Sequence, residues 1–273
     1  MSKSLKQFIK YPILIVFSLI ALYPIFLMFL SSVKPNLEIL TSPLSFPKAF
    51  TLENYITVWE KVNFSSYVWN SVYVSALSIF FILFFSSLAA FYLSRYDFKW
   101  NAFILFFFML GLMIPMKLAI LPLYMMMLKL GLLNSLNSLI IVYIAGNVPF
   151  AVFVFYGFFR SLPKDLDQSA RLDGCNEFQI YYKIILPLMR PSLAIVGIVN
   201  LIGVWNDFFY PLIFIHDDAK NTIPLGMLSL FGEYDTQWNL LFAGLSISSL
   251  PMIVAFLLAS KQFIEGLTTG AVK

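Results

Sequence analysis

The chain contains a single histidine, His216, and a single cysteine, Cys175. That supply excludes a disulfide framework and any Cys/His metal cluster within the chain. His216 lies beside Asp217 and Asp218 at the end of an apolar run, the address of a membrane-edge residue and a poor one for a catalytic dyad. No G-x-S-x-G, H-E-x-x-H or G-x-x-x-x-G-K-[ST] pattern occurs, so neither an intramembrane hydrolase nor a P-loop ATPase is expected. The expectation is a chain with no catalytic residue, no metal and no cofactor of its own. Two groups of residues still point to function. Asn200, Gly203 and Asp207 fall at i, i+3 and i+7, on one face of a helix, with Trp205 and Asn206 beside them. Aromatics flanking amides suit sugar rings and hydroxyls, and an ionisable residue within a span faces a cavity or another helix. Asp207 therefore lines a path, lies near the outer interface or bonds to a neighbouring helix. The second group is the polar stretch from Arg160 to Pro187.

The surrounding chain must hold these groups in lipid. Hydrophobic residues make up 60% of 273 and charged residues 12%, with a mean hydropathy of +0.84. A soluble domain carries roughly 25% charged residues, so the expected class is an all-α membrane protein. About 20 apolar residues are needed to cross the hydrocarbon core as a helix. Six runs qualify: Tyr11–Leu30, Tyr67–Leu93, Ala102–Pro115, Leu139–Phe159, Pro191–Ile215 and Leu240–Ser260. The first, prefaced by Lys3, Lys6 and Lys10, is too long for a cleavable signal and lacks an A-x-A site. In the third, Pro115 and Pro122 interrupt the apolar pattern. That leaves either a span ending near Lys117, followed by a bent or interfacial segment to Leu132, or one long kinked helix. The small residues Ser71, Ser75, Ser78, Ser86, Ser87, Ala89 and Ala90 in the second run suit close helix packing. Residues 1–273 read as one membrane domain, with an N-terminal helix over 11–30, a core over about 67–263 and a loop over 160–190.

Basic residues set the orientation. Lys3, Lys6, Lys10, Arg95, Lys99, Arg160, Lys164, Arg171, Lys183, Arg190, Lys261 and Lys273 lie on one side, and Lys34, Lys48, Lys61, Lys117, Lys129 and Lys220 on the other. The richer side is expected to be cytoplasmic, and it holds both termini and the loop between the fourth and fifth spans. In that loop, Ser161 is placed to cap a helix with Pro163 and Asp165 in its first turn. Leu162, Leu166, Ala170 and Leu172 give it an apolar face; Gly174 permits the left-handed turn that ends it. Asn176 can cap a second helix, with Phe178, Tyr181, Tyr182 and Ile185 on one side and Pro187 to stop it. The resulting helix–turn–helix either fills a partner's groove or rests on headgroups and its own spans.

The loop resembles the signature of permease subunits of binding-protein-dependent ABC importers: E-A-A, three residues, Gly, nine residues, I-x-L-P. Gln168-Ser169-Ala170, Gly174 (after Asp173) and Ile184-Ile185-Leu186-Pro187 stand at those spacings. Val33-Lys34-Pro35, Asn54-Tyr55, Asn70-Ser71, Pro122-Leu123-Tyr124, Leu130-Gly131-Leu132, Trp205-Asn206-Asp207 and the tail Phe263–Lys273 resemble the carbohydrate-type branch, in particular the second, shorter maltose-type permease. The resemblance implies a six-helix type I permease of a bacterial or archaeal inner membrane. It would pair with a homologous second permease, two ATPase subunits that use ATP and Mg, and an extracellular sugar-binding protein; lipid is its solvent and nucleic acid is no partner. It also implies that Leu166, Asp167, Gln168, Ser169, Ala170, Asp173, Gly174, Phe178, Ile184, Leu186 and Pro187 form the ATPase-coupling segment. Asn200, Trp205, Asn206 and Asp207 are the candidate translocation path. The family's Glu is Gln168 here, which leaves a neutral amide for a charge-assisted bond. Asp167 is expected to supply the charge, and Leu166, Ala170 and Phe178 more of the packing. A stand-alone carrier or channel is the competing function, but no internal repeat or buried charge pair is apparent in the sequence to support it.

Overall fold

The computed structural model describes residues 3–61, 63–231 and 236–271, without the side chains of 3–9, 61 and 263–271. The basic preface at Lys3 and Lys6 and the tail motif Phe263–Lys273 thus lie outside the described side chains. Among the described residues there is no strand. In chain order the helices are α1 (Lys3–Ser32), α2 (Asn36–Thr41), α3 (Glu53–Lys61), α4 (Phe64–Arg95), α5 (Asn101–Met113), α6 (Ile120–Lys129) and α7 (Leu136–Ser161). Then come α8 (Asp165–Leu172), α9 (Glu177–Gln179), a π-helical stretch (Ile180–Ile185), α10 (Leu186–Leu188), α11 (Arg190–Trp205), α12 (Phe209–Phe214), α13 (Ile223–Gly226) and α14 (Trp238–Ala271).

Four helices are continuous and apolar enough to span a membrane: Lys10–Ser32, Phe64–Arg95, Leu136–Ser161 and Trp238–Gln262. Two bent pairs bring the number to six. The third span is broken rather than kinked: Asn101–Met113 and Met116–Lys129 meet at 80°. The residue before a proline avoids the helical region, and Ile114, before Pro115, is extended at φ −89°, ψ 114°. Pro122 falls in the first turn of α6, where its missing donor costs no hydrogen bond.

The fifth span departs from the single run Pro191–Ile215. Glu177–Leu188 and Arg190–Trp205 meet at 76°, so the turn comes at Met189, after Pro187 and not at it. Helix α11 stops at Trp205, ten residues short of Ile215. Local polar competition explains the stop: Asn206 Nδ2 donates to Ile202 O at 2.9 Å, and Asp207 Oδ2 accepts the Tyr210 N–H at 3.1 Å. Sixteen residues rise about 24 Å, less than a full crossing.

Helix α4 packs along α7, which also packs on α5, while α11 packs on α14 and α4. Helix α1 packs on α14 at the edge of the bundle. Ser71, Ser75, Ser78, Ser86, Ser87 and Ala90 are buried, as small residues at a close helix contact require.

At one end of the bundle, polar contacts hold the loops. Lys34 is fully buried, and its Nζ donates to Ser42 O at 3.3 Å and Pro43 O at 3.0 Å. Asn54 Nδ2 donates to Ser32 O and Lys34 O at 2.8 and 2.9 Å, and Asn239 Nδ2 donates to Asn54 Oδ1 at 2.7 Å. Asn70 Nδ2 donates to Ala219 O and Asn221 O at 2.9 and 3.0 Å; Ser71 Oγ accepts the Ile223 N–H at 2.8 Å. Helix α13 is thereby pressed on α4 so closely that a Cβ at Gly226 would overlap the buried ring of Tyr67. Gly226→Ala is expected to cost about 1–3 kcal/mol through overpacking. Thermal unfolding in detergent should show a lower Tm, and an unchanged Tm would mean that the ring moves freely.

Candidate coupling hairpin and polar cavity

The Arg160–Pro187 stretch folds as a helix–turn–helix. Ser161 does not cap it: the hydroxyl belongs to the last turn of α7 and donates to Phe158 O at 2.7 Å. Helix α8 starts after Lys164, whose carbonyl accepts the N–H of Asp167 and Gln168 at 3.1 and 3.3 Å. Its end is a Schellman turn. Cys175 N–H donates to Ala170 O at 3.0 Å and Gly174 N–H to Arg171 O at 3.1 Å, with Gly174 at φ +80°. Asn176 then forms a full capping box with Gln179, both bonds at 2.9 Å.

The two faces of the hairpin differ from the sequence expectation. Leu166 and Ala170 pack inward, on the core that contains Phe91, Phe155, Phe159, Ile180, Tyr181 and Ile185. Asp167 is buried too. Its Oδ2 lies 3.5 Å from Arg95 Nε, at the end of α4, with side-chain exposures of 7% and 2%. It cannot supply the charge missing at Gln168. Arg95 Nη1 also donates at 3.0 Å to Leu162 O, the C-cap of α7. Tyr181 Oη pairs with Ser87 Oγ of α4 at 2.8 Å. Ile184 and Leu186 are half-buried against the same core, while Pro187 is exposed.

The outward face carries Gln168, Ser169, Arg171, Leu172, Asp173 and Gly174, all exposed. Leu172 is 89% exposed, and Phe178 and Tyr182 are 65% and 60% exposed. Their rings stack at 6.2 Å and 8°. The second helix is thus split: Tyr181 and Ile185 face in, Phe178 and Tyr182 face out. Arg171 reaches back to Glu177 at 3.1 Å and to the Tyr96 hydroxyl at 3.3 Å.

The Asn200–Asp207 residues do not form one stripe. Asn200 and Trp205 are buried in the bundle; Asn200 Nδ2 donates to Val196 O at 2.7 Å and Trp205 Nε1 to Ser248 O at 3.2 Å. Asn206 is exposed, and Asp207 lies beyond the helix end. Asp207 bonds to a neighbouring helix: its Oδ2 accepts the Tyr143 hydroxyl of α7 at 2.8 Å. Next to that bond lies a cavity of about 380 Å³ walled by Pro115, Met116, Lys117, Tyr143, Asn147 and Tyr210, among others. Its polar groups come from the bend of the broken third span and from α7. Sequence spacing gave no signal for it, because Pro115–Lys117 and Tyr143 meet only when the span folds back.

Two outcomes test this geometry. Gly174 has open space around it, so only its positive φ restricts substitution. Left-handed backbone costs a non-glycine residue roughly 1–2 kcal/mol, least for Asn. Gly174→Val should loosen the hairpin and Gly174→Asn much less, as read by hydrogen exchange over 165–179. Asp207→Ala leaves the Tyr143 hydroxyl without its acceptor and should cost about 1–3 kcal/mol. Asp207→Asn retains an acceptor oxygen and should lower Tm less; equal Tm for all three proteins would mean that the bond contributes nothing.

The comparisons agree with this architecture. The family model described as "Binding-protein-dependent transport system inner membrane component" matches residues 82–263. The probable ABC transporter permease protein YurM of Bacillus subtilis is 38% identical over 92% of this chain and 83% of its own length. The arabinooligosaccharides transport system permease protein AraQ of Halalkalibacterium halodurans is 35% identical over 93% of this chain and 92% of its own. Among solved structures, a bacterial ABC transporter involved in import of the acidic polysaccharide alginate superposes with a TM-score of 0.82, at 21% identity, over 96% of this chain and 99% of that one. With its signature spacing, its four long apolar helices and two bent apolar pairs, and a family match over two thirds of its length, the chain belongs to the inner-membrane permeases of binding-protein-dependent ABC importers.

Proposed function

We propose that this permease moves an oligosaccharide into the cytoplasm. An extracellular binding protein hands the sugar over, and two separate ATPase subunits use MgATP to drive the movement. The chain acts as one permease domain in a heterodimer with a homologous second permease, with both termini on the cytoplasmic side. The observation that carries the reading is the two-faced hairpin: one side is locked into the bundle, and the other presents Leu172, Phe178 and Tyr182 with Gln168 at its edge. Exposed apolar anchors on a rigid support are what a groove in a partner selects. Gln168 replaces the family's glutamate, so this interface rests on apolar burial more than on charge. The signature residues Ser169, Asp173 and Gly174 set the turn that aims the anchors. The sugar class rests on the relatives, among them the AraQ permease. The cavity beside Tyr143 and Asn147, with Lys117 at its rim, is the proposed stretch of path, and Asp207 holds Tyr143 in its wall.

The test is reconstitution of the chain with its second permease, a tagged ATPase and the binding protein in proteoliposomes. Labelled arabinotriose, maltotriose and alginate trisaccharide serve as probes. Uptake of one of them should require both ATP and the binding protein; uptake by the chain alone without ATP would establish a stand-alone carrier instead. Burial of a leucine side chain stabilises by about 1.5–3 kcal/mol, so Leu172→Asp should weaken ATPase co-purification at least about tenfold. Gln168→Glu should preserve or strengthen it, and clear weakening would reveal a partner adapted to the neutral amide.

A further inference from the structure

The hairpin is joined to α4 by a contact that partner docking does not require. Arg95 ends α4, the second span. Carried on α4, its guanidinium meets two further elements: the C-cap carbonyl of α7 at Leu162 and the carboxylate of Asp167 in α8. Both members of the ion pair are almost wholly removed from solvent. The same side chains contribute nothing to the outward face, where Gln168, Leu172, Phe178 and Tyr182 stand.

The geometry of the pair is loose. A charge-assisted N–H···O bond settles near 2.7–2.9 Å, whereas Arg95 Nε and Asp167 Oδ2 are 3.5 Å apart. Asp167 Oδ1 and Arg95 Nη2 are buried with no hydrogen-bond partner among the described residues. Buried polar atoms are ordinarily paired, so a small approach of α8 toward α4 gains bonding and a retreat loses it. Elsewhere the hairpin meets α4 through apolar packing, the Tyr181–Ser87 hydroxyl pair and the exposed Arg171–Tyr96 contact. Among the described contacts between the hairpin and α4, the Arg95–Asp167 contact alone is both charged and buried, so its hydrogen bonding, unlike apolar packing, changes with sub-ångström displacement.

We propose that Arg95 and Asp167 are positioning residues that transmit displacement of the coupling helix to the second span. They set how much substrate moves per ATP hydrolysed, and not whether the ATPase docks. This rests on the coupling role assigned to the hairpin above. A lone buried charge would confound a single substitution, so the decisive variant replaces both, Arg95→Met with Asp167→Leu. A second, Arg95→Asp with Asp167→Arg, restores a pair with exchanged signs.

The measurement uses the complete reconstituted complex and records uptake of the probe sugar and ATP hydrolysis in the same vesicles. The apolar pair should assemble with the ATPase and hydrolyse ATP, yet move about fivefold or more less sugar per ATP, within the range found for residues that carry coupling between sites. The exchanged pair should recover a substantial part of that ratio. A wild-type ratio in the apolar pair would overturn the proposal. So would failure of the apolar pair to assemble, which would make the contact a fold-holding bond only. If the wild-type complex shows no ATP-driven uptake, it is the importer reading that fails, an outcome separate from either of these.

Discussion

A helix in hydrocarbon satisfies its own backbone, but wherever it breaks, the freed groups must find partners inside the protein. That constraint governs the parts of this permease that are not straight helix. The third and fifth spans are both broken, and α11 ends early at Trp205. At that end Asn206 takes the Ile202 carbonyl, and Asp207 takes the Tyr210 N–H together with the Tyr143 hydroxyl. At the end of α7, Arg95 takes the Leu162 carbonyl. At the end of α1, the buried ammonium of Lys34 is held by the Ser42 and Pro43 carbonyls, and Asn54 collects those of Ser32 and Lys34. These polar contacts thus lie where the helices stop.

Much of this was legible in one dimension. Most of the apolar runs, an interruption of the third at its prolines, the left-handed Gly174 and the Asn176 cap follow from local rules that act within a few residues. Helix length, proline stereochemistry and the reach of an Asx side chain need no tertiary information. The signature spacing likewise identified the hairpin. What sequence could not supply was the assignment of each polar residue to a face. Leu166, Asp167, Ala170 and Phe178 look alike as candidates for a partner's groove. The bundle puts the first three inside and the last outside, because Phe91, Phe159 and Arg95 from distant helices occupy one side.

The Asn200–Asp207 stripe shows the same limit from another direction. The i, i+3, i+7 spacing assumes an unbroken helix, and that assumption fails at Asn206 because the side chains there compete for the backbone. Arg95 had been legible only as one of twelve basic residues that orient the chain. Its pairing with Asp167 spans a separation of more than seventy residues, and nothing in either local sequence announces it. Long-range polar pairs have no period, so pattern reading passes over them.

In lipid the apolar effect does not distinguish one helix neighbour from another, since acyl chains are as apolar as leucine. Close packing of small residues and polar contacts must therefore decide which helix meets which, and in what register. Here the serines of α4 supply the close approach, and three of α4's polar side chains, Asn70, Ser71 and Ser87, reach the segment 177–226. Arg95 completes the set at the hairpin end. A buried ion pair adds little net stability because desolvation consumes most of its attraction. Its retention at the junction of α4, α7 and α8 is more readily understood as a requirement for one fixed geometry between hairpin and span. The hairpin thus leaves its apolar side chains Leu172, Phe178 and Tyr182 exposed on one face and is joined to the second span by charge on the other.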